Sequence, residues 1–388
     1  MLFRSFLTRQ KADGSIYSEL DNFAFSRPFH ECPLLASLVL KVFEIDRNRD
    51  YLSQIFPALC ESIAPWLPEE NCHWEDTRQL QIDTGLFNFD FWEDTGHGLD
   101  IRTAESPALL GMLLMEVKAL ARIASLVGDD EAKNNYHTIA DLLTRSLQQS
   151  WDERVGTFIY RDIESGLTPD RELFYPGRIQ KELTIGKTFL KPQRLQLHLF
   201  AADEQTRACI IRLAGTDIKG NPIEEAFKST DLRWMLGRAH LTSHLVYHSI
   251  QSIAFSGLQP EDRFVLETAD FAQPDIACLL PLLAQAAHPE MVEAILTSPV
   301  MIAKNDRRHG LPETWKGRHE LPPALTLRAN VLWNTLIIEG MLHSGQIDLA
   351  AEIFTDLMTT IANGLTHHDG FFPFYNSNDG LPAGNRNA

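Results

Sequence analysis

Apolar residues recur at three- and four-residue spacing in paired segments joined by short polar turns, and this pairing confines the chain to stacked antiparallel helices. Leu34, Leu35, Leu38, Val39, Val42 and Phe43 form one stripe. After the charged turn Asp46-Arg47-Asn48-Arg49-Asp50 it resumes at Tyr51, Leu52, Ile55, Phe56 and Leu59. A second pair opens at Ser106-Pro107, an N-cap followed by a first-turn proline. Its stripe runs through Leu110, Leu113, Leu114, Val117, Leu120 and Val127, turns at Gly128-Asp129-Asp130, and returns through Tyr136, Ile139, Leu143 and Leu147. Ile276–Ala286 with Met291–Leu296 predicts a shorter pair broken at His288-Pro289. A last pair is predicted over about Leu325–His343 and Asp348–Ala362, around Gly345. Repeated hairpins of this kind imply an array or toroid of helices.

Between residues 186 and 268 the period changes to two. Leu195, Leu197 and Leu199 alternate with polar residues, as do Cys209, Ile211 and Leu213, and turn-like AADEQ and DIKGNP segments separate the runs. Leu241, Ser243, Leu245 and Tyr247 read as one strand face, and Arg263–Leu266 as a further short strand. The expected architecture is therefore mainly α, with a small β-sandwich inserted into a helical domain. Its parts are 1–185, the first portion of the helical array; 186–268, the sandwich; and 269–388, the second helical portion.

Charge excludes one large class of partner. Lys and Arg number 35 against 52 Asp and Glu, a net charge of −17, so binding to nucleic acid through its phosphates is not expected. A neutral polar ligand fits better. No apolar run reaches the roughly 20 residues of a membrane span, and the opening MLFRSFLTRQKADGS turns polar too soon for a secretory signal. The expectation is a soluble, cytoplasmic chain with no membrane partner. Its cysteines, at 32, 60, 72, 209 and 278, are scattered and form no CxxC pair, so reduced structural thiols are expected, with no metal site and no cofactor.

Three tracts could carry chemistry. The densest is Phe87-Asn88-Phe89-Asp90-Phe91-Trp92-Glu93-Asp94-Thr95-Gly96-His97-Gly98-Leu99-Asp100-Ile101-Arg102. Aromatic faces stack on the C–H surfaces of sugars, carboxylates and Arg bind hydroxyls, and glycoside hydrolysis needs one protonated and one ionised carboxyl group. The same composition also suits an acidic loop capping a helix. The second tract is Gly310-Leu311-Pro312-Glu313-Thr314-Trp315-Lys316-Gly317-Arg318, where Trp315 could serve as a sugar platform; Trp333, further on, reads as core. The third is His367-His368-Asp369-Gly370-Phe371-Phe372-Pro373-Phe374-Tyr375-Asn376, followed by Asn378-Asp379-Gly380. Adjacent histidines cannot share one metal from a helix, no HExxH spacing is present, and no GxSxG elbow marks a serine nucleophile.

At these residues the chain resembles the six-hairpin glycosidases, in the branch of processing α-glucosidases, mannosylglycerate hydrolase and amylo-α-1,6-glucosidase-like (glycogen-debranching-like) proteins. The resemblance begins at Arg9-Gln10-Lys11-Ala12-Asp13-Gly14-Ser15-Ile16. It continues through WEDTGHGLDIRTAESPALL, Trp151-Asp152-Glu153 and Tyr160-Arg161-Asp162. It resumes at Thr268-Ala269-Asp270-Phe271, Leu279-Leu280-Pro281-Leu282, Trp333-Asn334 with Gly340, and Gly384-Asn385-Arg386-Asn387. It implies an (α/α)6 toroid that binds a carbohydrate and hydrolyses it with inversion by acid and base carboxylates. The family's E-S-G-x-D-x-S-P-R run aligns with Asp94-Thr95-Gly96 and Arg102, which places Gly98 at the acid position. The base glutamate of its G-F-x-E-Y-Y run corresponds to Pro373 or Phe374. Neither can take a proton.

On this reading the acid has moved to Asp100 or Asp94 and the base to Glu313 or Asp379, with Trp92, His97, Arg102, Trp315 and Tyr375 lining the sugar subsite. The alternative is a catalytically silent sugar-binding or regulatory relative. A third reading is a sugar epimerase or isomerase using His97. The resemblance also implies a toroid incomplete at both chain ends, whose open edge would favour homo-oligomers because exposed apolar area costs about 25 cal/mol per Å².

Overall fold

The computed structural model describes residues 7–12, 14, 16, 33–67, 99, 100, 103–203, 205–235, 237–302, 308–314 and 327–383. The first hairpin is present as α1 (Leu35–Asp46) and α2 (Arg49–Ile63), with Asn48 starting α2 by accepting the Tyr51 N–H at 3.0 Å. The second is α3 (Pro107–Val127) and α4 (Asp130–Gln149). Ser106 and Asp129 cap these helices at the N–H groups of Leu109 and Ala132. Gly128, at φ 85°, ends α3 in the left-handed conformation that glycine adopts without strain.

Leu34 stands at the N-cap of α1 and contributes no capping side chain. Glu116, buried on α3, takes that role from across the interface: it accepts the N–H of Ala36 at 2.6 Å, the N–H of Ser37 at 2.9 Å, and the Ser37 hydroxyl. These are donors that a helix cannot satisfy within itself. Burial pushes the Glu116 carboxyl up to about 8.

The third pair differs from expectation. Ile276–Leu282 is a 3-10 helix, because Pro281 has no N–H and interrupts α-type bonding. Two α-helices follow, α5 (Pro289–Leu296) and the short α6 (Pro299–Ile302). The buried 3-10 segment is a post between α3 and α7 (Val331–His343). A Cβ on Gly111 would lie 3.1 Å from the Pro281 backbone, and one on Gly340 would lie 2.7 Å from the Leu283 nitrogen. Hydrogen at those positions is what lets the two helices close on the post. The last hairpin also starts later than predicted. Arg328–Asn330 is strand β14, and Asn330 begins α7 by accepting the Trp333 N–H at 3.1 Å. The final helix α8 (Ile347–His368) runs beyond Ala362. Trp333 is wholly buried, in a core shared by α1 to α5, α7, α8 and the 3-10 post.

Short strands flank the second hairpin: β1 (Ala104–Glu105) pairs with β4 (Arg161–Asp162), and β2 (Trp151–Asp152) with β3 (Thr157–Phe158). The longer strands are β5 (Leu173–Arg178), β6 (Glu182–Gln193), β7 (Leu195–Phe200), β8 (Ile210–Thr216), β9 (Pro222–Lys228), β10 (Arg233–Met235), β11 (Arg238–Thr242), β12 (Tyr247–Ser256) and β13 (Arg263–Thr268). They form two antiparallel sheets, ordered β10-β11-β7-β13-β5 and β6-β12-β8-β9. Leu195, Leu197 and Leu199 from the first sheet share a second core with Ile211, Leu213 and Ile253 from the other. The expected boundary at 186 falls inside β6, and the sheets reach back to Leu173. Leu241 and Tyr247, predicted to share a strand face, lie in different sheets. The chain turns between them where the Ser243 hydroxyl donates to the Leu245 carbonyl. No helix among the described residues is long and apolar enough to cross a membrane.

Candidate functional site

Leu99 and Asp100 are pinned between the start of α3 and the edge of β11. The Asp100 N–H donates to the Thr242 hydroxyl at 3.2 Å, and its carbonyl accepts the Thr103 N–H at 2.9 Å and the Thr103 hydroxyl at 2.7 Å. Leu99 packs with Ala104, Tyr160, Ala269, Phe271 and Cys278 in a small third core. Hydrogen bonds on both sides of Asp100 and an apolar anchor beside it hold the backbone in one conformation.

From this core a chain of contacts leads to Glu313. The Tyr160 hydroxyl donates to the buried carboxylate of Asp275, 3.0 Å from each oxygen, and Asp275 caps the 3-10 helix at the Ala277 N–H. Burial raises the Tyr160 hydroxyl and the Cys278 thiol far above their ordinary ranges, so both stay neutral. The next residue, Ile276, donates its N–H to the Glu313 carbonyl at 3.0 Å, and Glu313 donates its own to the Arg328 carbonyl at 2.7 Å. Arg328 returns the contact through its side chain, with Nε at 3.2 Å and Nη2 at 3.0 Å from Glu313 Oε2. Both side chains are 0% exposed. The guanidinium also lies 4.4 Å from the centroid of the Phe374 ring. Partners on two sides compensate a buried cation.

Arg328, Ala329 and Asn330 of β14 pair with Asn376, Tyr375 and Phe374 of β15 (Phe374–Asn376). Through the Glu313–Arg328 contact this pairing links the second sequence tract to the third. Phe374, one of the two residues that the resemblance sets at the base position, is thus the packing partner of Arg328. Pro373, the other, gives its carbonyl to the Val331 N–H at 3.0 Å. Tyr375 is fully buried: its hydroxyl accepts the Phe372 N–H at 3.3 Å and lies 2.7 Å from where a Gly364 Cβ would stand. Packing beneath α8 encloses its ring. Asp379 is exposed at a turn closed by the Gly380 N–H on the Asn376 carbonyl, and its Oδ1 accepts the Leu381 N–H at 3.0 Å. The His309 ring packs against Gly380 beside it.

Nothing in the order of residues signals a buried polar layer next to Asp100. On the five-stranded sheet Thr242, Gln196 and Glu267 stand opposite one another in register, and all are buried. Glu267 accepts Arg171 Nε at 2.7 Å and meets His198 Nε2 at 2.9 Å. In the run Leu195-Gln196-Leu197-His198-Leu199 the polar members occupy positions that face water in a one-sided sheet. Only the tertiary fold shows that they are covered. Just beyond β13, burial pushes the Asp270 carboxyl up to about 6, in the range of groups that donate protons near neutrality.

Trp92, Asp94, His97, Arg102 and Trp315 lie outside the described residues. Among the described residues no group of three or more His, Cys, Asp or Glu side chains could hold a metal ion.

A family model for the mannosylglycerate hydrolase MGH1-like glycoside hydrolase domain matches residues 70–178. The fold is similar to that of an uncharacterized conserved protein from Thermus thermophilus, with 14% identity and a TM-score of 0.56, covering 99% of this chain and 83% of that one. It is also similar to GH63 mannosylglycerate hydrolase from the same organism. In the complex with Tris, identity is 13%, the TM-score 0.55, and coverage 99% and 84%; with glucose, the TM-score is 0.52 at 13% identity, with coverage of 99% and 83%. No curated protein matches the chain in sequence. The family match and the fold both fit the six-hairpin glycosidase type.

Proposed function

We propose that the chain is an inverting glycoside hydrolase that cleaves an α-linked gluco- or manno-configured glycoside. The likeness to a mannosylglycerate hydrolase over 99% of the chain carries this reading, and the matched family domain at 70–178 contains the whole Phe87–Arg102 tract. The architecture is read as an (α/α)6 toroid, with the two sheets forming an inserted sandwich. Asp100 is the general acid, favoured by its fixed backbone, and Asp94 is the second candidate. Glu313 is preferred to Asp379 as base, because Arg328 pairs with its carboxylate and fixes its position whereas Asp379 stands on an exposed turn. Trp92, His97, Arg102 and Trp315 contact the sugar.

One observation favours a second reading, a sugar-binding protein without turnover: the resemblance sets Gly98 at the acid position and Pro373 or Phe374 at the base position, and none of these titrates. Titration calorimetry with maltooligosaccharides and mannosylglycerate, beside a reducing-sugar assay, separates the two. The hydrolase reading expects sugar release that falls about 10²–10⁴-fold in Asp100→Asn, the usual contribution of a general acid. Binding without release favours the silent protein. Release unaffected by Asp100→Asn removes Asp100 from its role.

A further inference from the structure

Two heptad seams run side by side along α8. Ala350, Ile353, Leu357, Thr360 and Gly364 advance in steps of three and four and face the core. Next to them Ile347, Ala351, Phe354, Met358, Ile361 and Leu365 advance in the same steps, the apolar pattern of a helix that packs on another helix. This second seam is largely uncovered. Ile347 is 64% exposed, Phe354 52%, Met358 44% and Leu365 46%, and Ala351 is exposed as well. Single exposed apolar residues are ordinary on a protein surface, but an aligned row marks an interaction site.

The row is symmetric about Asp356. Laid antiparallel against a copy of itself, it sets Ile347 opposite Leu365, Ala351 opposite Ile361, and Phe354 opposite Met358. Each pair recurs on the other side of a two-fold axis, as an isologous contact requires. The polar ends match too. Asp348, in the first turn, meets the His367-His368 end of the other copy, and the two helix dipoles oppose. We propose that α8 is a homodimer interface, occupied by α8 of a second copy in this antiparallel register.

A single helix pair lies near the lower limit of specific interfaces, about 1,000 Å² in total, so association in the micromolar range is expected. Sedimentation velocity of the full chain from about 1 to 200 µM, concentrations chosen to bracket that range, should show monomer converting to dimer. The double variant Phe354→Lys/Met358→Lys should stay monomeric throughout, with unchanged circular dichroism. Cross-linking by a short bis-maleimide reads the register: Phe354→Cys chains mixed with Met358→Cys chains should link far faster than either alone. A wild-type monomer at the highest concentration, a dimer that survives the double Lys variant, or equal linking in unmixed samples would each overturn the proposal.

Discussion

Removing the Glu116 carboxyl should detach the start of α1 from α3. In Glu116→Ala the N–H groups of Ala36 and Ser37 lose their acceptor in a buried setting, whereas the Ser37 hydroxyl can turn to the Leu34 carbonyl at 3.3 Å. Each unsatisfied buried donor costs about 1–3 kcal/mol. Two amides at a helix end that water can partly reach place the total near 3 kcal/mol. At about 2–4 °C per kcal/mol for a unit of 150–250 residues, the helical transition should fall by about 6–12 °C in a far-ultraviolet dichroism melt. The ionisation gives a second readout. Burial raises this carboxyl from 4.5 to about 8, so the folded state prefers its protonated form. That contribution to stability is complete below about 4.5 and is lost as the pH rises through about 8. Glu116→Gln cannot ionise, so the stability difference between wild type and this variant should slope across that window. A flat difference, or an Ala variant that melts with wild type, would refute the reasoning.

Arg328→Met should cost about 3–5 kcal/mol in denaturant unfolding, because it leaves Glu313 a buried charge without its main partner. The double variant Arg328→Met/Glu313→Leu should regain most of that loss, and a single-variant cost under about 1 kcal/mol would contradict the ion-pair assignment. Asp270 should titrate near 6 in a carboxyl-resolved NMR experiment, with an ordinary value near 3.8 counting against its burial. Since its folded value is raised, its contribution to stability is full below about 3.8 and is lost as the pH rises through about 6, a slope that Asp270→Asn should remove.

The first two hairpins were legible because their signals are local: apolar stripes, Asn48, Ser106 and Asp129 at N-caps, and Gly128 at a stop. Where the sequence misled, a longer-range partner decided. Residues 328–330 fall inside the span predicted as helix from Leu325, yet they pair with a strand that follows α8 in the chain. Pro281 inside an apolar run gave the one local hint that the third pair would not be α-helical throughout. The candidate tracts were chosen for composition, and composition does not report burial. Glu313 and Tyr375 proved to be enclosed, while Gln196, His198 and Glu267, which resemble the wet side of an ordinary strand, form a covered polar layer. The Glu116 cap is equally silent in sequence, because its donors are some eighty residues away.

The pairing of β14 with β15 has a mechanical consequence. It ties the chain before α7 to the chain after α8, so those helices form a hoop closed at its base rather than two free struts. A displacement of the Glu313 arm must then carry the Asp379 turn with it, unless the clasp unzips. Any occupant pressing on one of these segments would be felt by the other as a shared load.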